Sequence, residues 1–541
     1  MDRNSHTQGA QVYWTEVIRR HSLLVSAVIG TTVVALIAVV VAVRYWTRPA
    51  PECGPGLVAV DRPYRCAGLD MNSGPLQAKD PLAAWEGMMA TANAAIVAST
   101  VETIVLLENA TPDPARDTYS FGSLVHAIEG ALTAQDERNW IYDTQGHRRP
   151  QQVQFRMLLA NDGAGAESQA IAVDRIQASA ADLHIVAVAG LGQSVANTRT
   201  AARTLLSDPN HPIAVVGGEV TGDNLNKQSD SKGAAPIPGF YRVGPVNSDE
   251  GSAAAQYIKH ANIPHDRTLL VVDQNPLDDY GSTLASGFLG ANKVTPALQR
   301  TFSYTGGNRD EALIGDFGDM HGDICALNPD LVYFAGRGSD LRDFVTALLQ
   351  GGPCADQSPL TIVSGDDTSN LVGREVYNYS SPPNGFGFPS MQMFFTGVAA
   401  GDEWKNANAE PQAETLSETT AYDTFASSFS RQKFPPVGTE TTDDARLADG
   451  VAMIVHDSVA VAGTAAQRNP SATNLIDLIK HFECTSAFAG AAGYISLDEG
   501  TNNPRDKVMP VLQLDASGAT VVRALEWPQG AQINYSALAE C

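Results

Sequence analysis

From residue 102 to residue 365 the chain repeats one pattern: a short apolar run, a glycine-bearing turn, then a segment whose apolar residues fall at helical spacing. The runs TIVLLE, HIVAVAG, PIAVVGG, TLLVVDQ, LVYFAG and LTIVSG lack the polar alternation of a half-exposed strand, and QVQFRMLLAND joins them. A strand that is apolar at successive positions is buried on both faces, which calls for a parallel sheet with helices above and below it. SLVHAIEGALTAQ, ESQAIAVDRIQAS, NTRTAARTLLS, GSAAAQYIKHA, YGSTLASGFLGA and DLRDFVTALLQ supply those helices. The pattern predicts an α/β fold with doubly wound parallel sheets. The units are too many for one sheet, so two lobes with a hinge are expected.

One segment departs from this pattern. Residues 22–43, SLLVSAVIGTTVVALIAVVVAV, carry no charge, and at ~1.5 Å per residue they reach about the ~30 Å thickness of a bilayer core. The spacing predicts one N-terminal transmembrane helix, with Arg19, Arg20 and His21 before it and Arg44 and Arg48 after it. Tyr45 and Trp46 would sit at the far headgroup layer. The alternative is a cleaved signal peptide, but the run is too long and the flank RYWTRPAPE offers no small-x-small site.

Charge and cysteine usage bear on partners and compartment. Lys plus Arg number 36 against 60 Asp plus Glu, a formal net charge of −24, so no basic excess is available to displace counterions from a nucleic acid. Hydrophobic residues at 43% and charged ones at 18% are sufficient to fill ordinary cores. All six cysteines, Cys53, Cys66, Cys325, Cys354, Cys484 and Cys541, follow the apolar helix without paired CxxC spacing. An even number outside the cytoplasm reads as disulfides. Cys53 with Cys66, Cys325 with Cys354 and Cys484 with Cys541 are the favoured partners, out of ~15 possible connectivities. Buried thiols in a reducing compartment are the other reading.

The expected organisation is a cytoplasmic tail at 1–21, the membrane helix at 22–43 and an extracytoplasmic stalk at 44–100. A first lobe would take 101–245 and 376–490, with an acidic surface insertion at about 401–444. A second lobe would take 246–375 and, with a C-terminal tail, 491–541. In the stalk, DPLAAWEGMMATANAAI reads as a helix capped by Asp80 with Pro81 in its first turn. DARLADGVAMIVHDSVAVAGTA at 444–465 reads as one long helix; Arg446, Asp449, His456 and Asp457 argue for a buried core helix rather than a second membrane span.

Four stretches, beginning FYRVGP at 240, LLVVDQ at 269, NPDLVY at 328 and GAAGYI at 490, follow in an order that resembles the type I periplasmic binding proteins, the branched-chain amino acid binding family. FYRVGPVNSDEG at 240–251 is similar to the family's crossover into its second lobe, and LLVVDQNPLDDYGSTLASGF at 269–288 to the strand and helix that follow. NPDLVYFAGRGSDLRDFVTALLQGG at 328–352 resembles the next unit, and GAAGYISLDEGTNNPRDKVMPVLQL at 490–514 the closing turn and final strand. The resemblance covers roughly residues 102–520. It implies a membrane-anchored substrate-binding protein of an ABC transporter.

In parallel α/β sheets the loops at the carboxyl ends of strands gather where two halves meet, and helix N-termini offer free N–H groups there. Ser194, in the loop AGLGQSVAN, fits such a place; the alternative is that it only caps its helix. The resemblance implies that Ser194 holds a ligand carboxylate and that Thr221, in GGEVTGDNLN, is the second such position. Glu219 stands where family members carry a small residue, so an extra carboxylate is expected in the cleft. Asp366, in SGDDTSN, matches the acidic position that pairs with a ligand ammonium; the alternative is an exposed helix-capping Asp. Arg337, with Ser339 in FAGRGSD, either binds a second acidic group of the ligand or pairs with Glu219 across the cleft. Tyr280, in DDYG, reads as a packing residue rather than a ligand contact.

Motifs of catalysis are missing: there is no GxSxG elbow, HExxH, P-loop or GxGxxG opening a helix. No metal or cofactor is expected, and no enzyme activity. The expected function is capture of a small polar solute, an amino acid or similar, between two lobes at the outer face of the cell membrane, for delivery to an ABC permease. The alternatives are a ligand-binding sensor subunit for a partner membrane protein and a surface scaffold that has lost its ligand.

Overall fold

The computed structural model describes residues 52–530 except 61–64, 73, 78–79, 113–118, 164, 210, 230–233, 292–297, 307–310, 351–358, 374–390, 402, 407–412, 439 and 469–474. The expected tail and membrane helix lie outside the described residues. Among the described residues no helix is long and apolar enough to cross a membrane. By its contacts the chain divides into residues 1–52 with 59–65 and residues 53–58 with 66–541. The second unit carries the architecture that follows.

Chain order begins with β1 (Leu57–Val60), β2 (Arg65–Leu69), α1 (Ala83–Ala94), β3 (Thr100–Glu108) and α2 (Phe121–Asn139). A small hairpin, β4 (Trp140–Tyr142) and β5 (Arg148–Pro150), precedes β6 (Val153–Asn161), α3 (Ala166–Leu183), β7 (Ile185–Gly190), α4 (Ala196–Leu205), β8 (Ala214–Gly217) and β9 (Phe240–Arg242). The chain continues through α5 (Asn247–His260), β10 (Thr268–Asp273), α6 (Tyr280–Ala291), β11 (Leu298–Tyr304), α7 (Glu311–Leu327), β12 (Leu331–Ala335), α8 (Gly338–Gln350) and β13 (Leu360–Ser364). A 3-10 turn, Asp366–Leu371, leads on to β14 (Met391–Thr396), α9 (Glu403–Asn406), α10 (Ala413–Gln432), α11 (Asp443–Leu447), α12 (Val451–Arg468) and α13 (Leu475–Ile479). The pair β15 (Phe488–Gly490) and β16 (Gly493–Ile495) precedes β17 (Met509–Leu514) and β18 (Thr520–Glu526).

Two seven-stranded sheets result, in the orders β1-β2-β6-β3-β7-β8-β9 and β11-β10-β12-β13-β14-β17-β18. Strands β6, β3, β7, β8 and β9 pair in parallel, as do β11, β10, β12, β13 and β14. β2 in the first sheet and β17 and β18 in the second are antiparallel additions. The unbroken apolar runs have the cause the sequence implies. In β3, Ile104 and Leu106 enter one core while Val105 and Leu107 enter the core on the opposite face. In β12, Val332 and Phe334 face one way and Leu331, Tyr333 and Ala335 the other. Each such fully buried side chain contributes ~1.5–3 kcal/mol relative to exposure.

Several expectations change. The segment expected to be a stalk is, over its described residues from Cys66, part of the first sheet's layer. β2 pairs with β6, Trp85 of α1 donates from Nε1 to Glu129 Oε1 of α2 at 2.9 Å, and Leu82 and Met89 are buried in the same core. Asp80 acts at the start of α1 as expected, accepting the Leu82 amide at 2.9 Å. The expected surface insertion contains α10, whose Tyr422, Phe425 and Phe429 are buried in the first core. The long helix expected over 444–465 is two helices, because Gly450 turns with φ of +77° and a Cβ there would collide with the Ala399 carbonyl. α12 is nevertheless a buried core helix, as its sequence suggested. The boundary expected near 375 falls one strand early, since β14 belongs to the second sheet. The chain therefore passes between the sheets three times: after β9, after β14 and before β17.

Cys53 and Cys66 are joined by a disulfide. Cys325 and Cys484 are also disulfide-bonded, and their partners lie outside the described residues.

Candidate functional site

The parallel strands of the two sheets end in loops that meet. From the first sheet come Glu108 at the end of β3, residues 191–195 after β7 and residues 218–222 after β8. From the second come residues 274–279 after β10, Arg337 after β12 and the 3-10 turn after β13. Among the described residues, bonds cross between these loops and the helices beside them. Arg337 Nη2 donates to the Ser194 carbonyl at 3.0 Å and Thr221 Oγ1 lies 3.5 Å from Asp366 Oδ1. Ser123 Oγ of α2 donates to Asn370 Oδ1 at 3.2 Å, and the Ala196 amide donates to the Leu277 carbonyl at 3.2 Å. Residues scattered over more than two hundred positions thus surround one place, which is where open α/β sheets bind ligands.

Ser194 does not cap its helix: the N-cap of α4 is Val195. Its Oγ instead accepts the amides of Thr221 at 2.8 Å and Gly222 at 3.0 Å, tying the loop after β7 to the loop after β8. The Thr221 carbonyl in turn accepts the amide of Asn247 at 2.8 Å, fixing this loop to the start of α5.

Arg337 is 4% exposed and its guanidinium is fully engaged. It forms a fork with Asp278 (2.8 and 2.9 Å), binds Asp367 Oδ1 at 2.9 Å, and lies 4.4 Å from the centre of the Tyr280 ring. Burial works against its charge, but Asp278 and Asp367 outweigh burial and hold it protonated. The expected alternative of pairing with Glu219 is not found; the partners are Asp278 and Asp367. Tyr280 is buried in the second core, as read from the sequence, and its hydroxyl accepts the Asp367 amide at 3.0 Å.

Asp366 is 8% exposed rather than standing free on a surface loop. Its amide donates to Glu250 Oε2 at 3.0 Å. Burial and then Asp367 push its carboxyl up to about 6, while the Tyr280 hydroxyl, Arg337 and a hydrogen bond with Glu250 pull the other way. Glu219 accepts from the Tyr119 hydroxyl at 2.9 Å. Burial raises it to about 8, with Asp449, Asp366 and Asp367 adding to the rise and the Tyr119 bond opposing it.

Sequence reasoning missed three contributors. Glu108 is fully buried at the tip of an apolar strand, and a lone carboxylate ending TIVLLE was an available signal. Tyr119 precedes α2 and reaches Glu219 across 100 positions of sequence. His126 lies between Asp449 (2.7 Å) and Glu440 (2.9 Å). Burial alone would lower its pKa, but the two carboxylates raise it to about 10. Among the described residues no group of three or more His, Cys, Asp or Glu is arranged to hold a metal ion. The titratable groups brought together here are mostly carboxylates.

No family model matches the sequence and no curated protein matches it. Solved structures do. A leucine-binding protein, LivK, of Thermotoga maritima superposes with a TM-score of 0.53 at 17% identity, over 79% of this chain and 99% of that one. The branched-chain amino acid transporter substrate-binding protein LivJ of Streptococcus pneumoniae, solved with isoleucine, gives 0.53 at 16% identity over 79% and 99%. An ABC transporter solute-binding protein of R. palustris, solved with 4-hydroxybenzoate, gives 0.52 at 12% identity over 79% and 96%. The architecture of this chain is that of the type I periplasmic binding proteins, the fold of ABC transporter substrate-binding proteins.

Proposed function

We propose that this chain is a non-enzymatic, membrane-anchored binding protein that captures a small polar solute between its two lobes outside the cytoplasm and delivers it to an ABC-type importer. One observation carries the reading: loops from the carboxyl ends of both sheets meet at Ser194, Thr221, Arg337 and Asp366. Contacts split between two lobes favour the closed form over the open one when solute is present, and that difference drives closure. Similar folds bind leucine, isoleucine and 4-hydroxybenzoate, so the fold leaves the solute to be read from the side chains. Asp366 marks it as a solute carrying an ammonium or comparable cation. The Cys53–Cys66 disulfide and the uncharged run at 22–43 support a single-pass anchor with the large domain in an oxidising compartment. The same fixed helix, rather than free secretion, also suits a sensor subunit that reports the solute to a membrane partner.

Thermal denaturation of the full-length chain against amino acids, amines and carboxylates tests this. A solute at about 100 times its Kd stabilises by ~2.7 kcal/mol, and Asp366→Asn is expected to remove the shift. Binding that survives in Asp366→Asn would move the site elsewhere.

A further inference from the structure

We propose that Glu108, Tyr119 and Glu219 form a second cation subsite on the first-sheet side of the cleft, so that the solute is an organic dication such as an α,ω-diamine rather than a zwitterionic amino acid. This rests on the reading of the cleft as the solute site.

The argument starts with Glu108. It is 0% exposed, and neither carboxylate oxygen has a hydrogen-bond partner of good geometry, although the Gly192 amide and the Tyr119 hydroxyl lie toward it. The space it occupies is made by glycine: Gly190, with φ of +86°, would drive a Cβ into Glu108 Oε1, and Gly192 would place one 3.3 Å from Oε2. Tyr119 links this group to Glu219, donating to Glu219 Oε2 at 2.9 Å. A buried carboxylate, Glu108, and a half-buried one, Glu219, therefore lie beside one hydroxyl at the carboxyl end of the first sheet.

Among the described residues no cation neutralises them. The cations of the cleft are committed elsewhere, Arg337 to Asp278 and Asp367, and His126 to Asp449 and Glu440. Burying unpaired carboxylates is costly, so they keep protons or take a cation. A ligand carboxylate is a poor fit at the same place. Ser194 Oγ already accepts two amides there, and Glu219 would repel a second carboxylate. A solute with one ammonium at Asp366 and a second cationic group at Glu108 and Glu219 satisfies all three acids.

Such a solute exchanges charge for protons. The groups acting on Glu219 besides burial are Tyr119, Asp449, Asp366 and Asp367; those acting on Glu108 are Glu219, Asp162, Gly192 and Tyr119. Burial and these carboxylates raise both acids, Glu219 to about 8. Below that pH the solute must expel a proton to pair with Glu219. Affinity is therefore expected to rise with pH, about tenfold per unit for one proton released, from pH 6 until Glu219 is ionised.

The test is a thermal-shift and calorimetric titration of the full-length chain with 1,4-diaminobutane, 1-aminobutane, leucine and calcium chloride at pH 6 and pH 8. The expected result is preference for the diamine, growing with pH, with proton release on binding. Glu219→Gln is expected to reduce diamine affinity about tenfold or more, to the level of 1-aminobutane, while leaving 1-aminobutane unchanged. Tyr119→Phe, which keeps the ring, should lower diamine affinity and leave the ligand-free melting temperature near wild type. Equal binding of mono- and diamine, or leucine binding lost in Asp366→Asn but intact in Glu219→Gln, would overturn the second subsite and leave the solute-binding reading standing. A shift with calcium that depends on Glu219 would overturn the organic dication. No shift with any probe would overturn both.

Discussion

Arg337 shows how much of this site is scaffold. Its planar fork of donors meets two carboxylates and a carbonyl from three different loops. Replacing it by alanine would leave buried Asp367 and half-buried Asp278 without their countercharge, and Arg337→Ala is expected to destabilise by about 3–5 kcal/mol in urea unfolding. Arg337→Lys keeps the charge but loses the fork, so its loss should fall between wild type and alanine; a lysine variant as weak as alanine would show that charge contributes little. The place of Ser194, Thr221 and Asp366 at strand ends was legible because each follows an apolar strand in a turn-forming loop. His126 with Asp449 was not, because the partners are 323 positions apart, one within α2 and the other in the turn before α12. Arg337 was legible as a cleft residue but not in its pairing, since Asp278 and Asp367 are no more conspicuous in sequence than Glu219.

At the level of elements, α2 packs closely on α12. Gly130 lets the helices approach until any Cβ there would collide with the Ala452 carbonyl. Gly130→Ala is expected to cost about 1–3 kcal/mol despite alanine's better helix propensity. A melting temperature at or above wild type would show that the helices separate freely. The period of α10 was readable, with Tyr422, Phe425 and Phe429 on one face, but sequence could not say what that face meets. The polar residues just before the helix suggested solvent; the answer is the first core. The break at Gly450 was hidden for a related reason, since apolar residues continue on both sides and only the nearby Ala399 carbonyl demands a glycine.

For the molecule as a whole, many buried acids share one sign of shift. Burial chiefly raises Glu86 to about 9, Glu219 to about 8, and Glu129, Asp249 and Asp340 to about 7. The folded chain thus keeps protons that the unfolded chain has lost from about pH 4.5 upward, so stability falls as pH rises through this window. His126 and His456, raised to about 10 and about 9 by their carboxylate partners against burial, act in the same direction, losing their contribution above an unfolded value of 6.5. Glu137, lowered by His456 against burial, opposes them. The expected outcome is a melting temperature for the solute-free chain that drops by several degrees from pH 5.5 to pH 9; a rise would show that the acids ionise with solvent inside. The repeat of apolar runs was enough to anticipate two parallel sheets, because burial on both faces leaves a composition signature. Antiparallel β2 and β18, whose residues are mixed, left none.

The three passages between sheets also set an order of events during synthesis. Strands β3, β7 and β8 are among the first elements made, and α1 and α2 soon cover part of the face carrying Ile104 and Leu106, yet α12, which completes that core, emerges more than three hundred residues after β3. A nascent chain must therefore carry this apolar face only partly covered until α12 is made. A chain ending at residue 400 is expected to aggregate, and supplying residues 401–541 as a separate piece should restore solubility. If the shortened chain is soluble and folded by itself, the first sheet finds cover without its late helices, and its two faces form at different times for no structural reason.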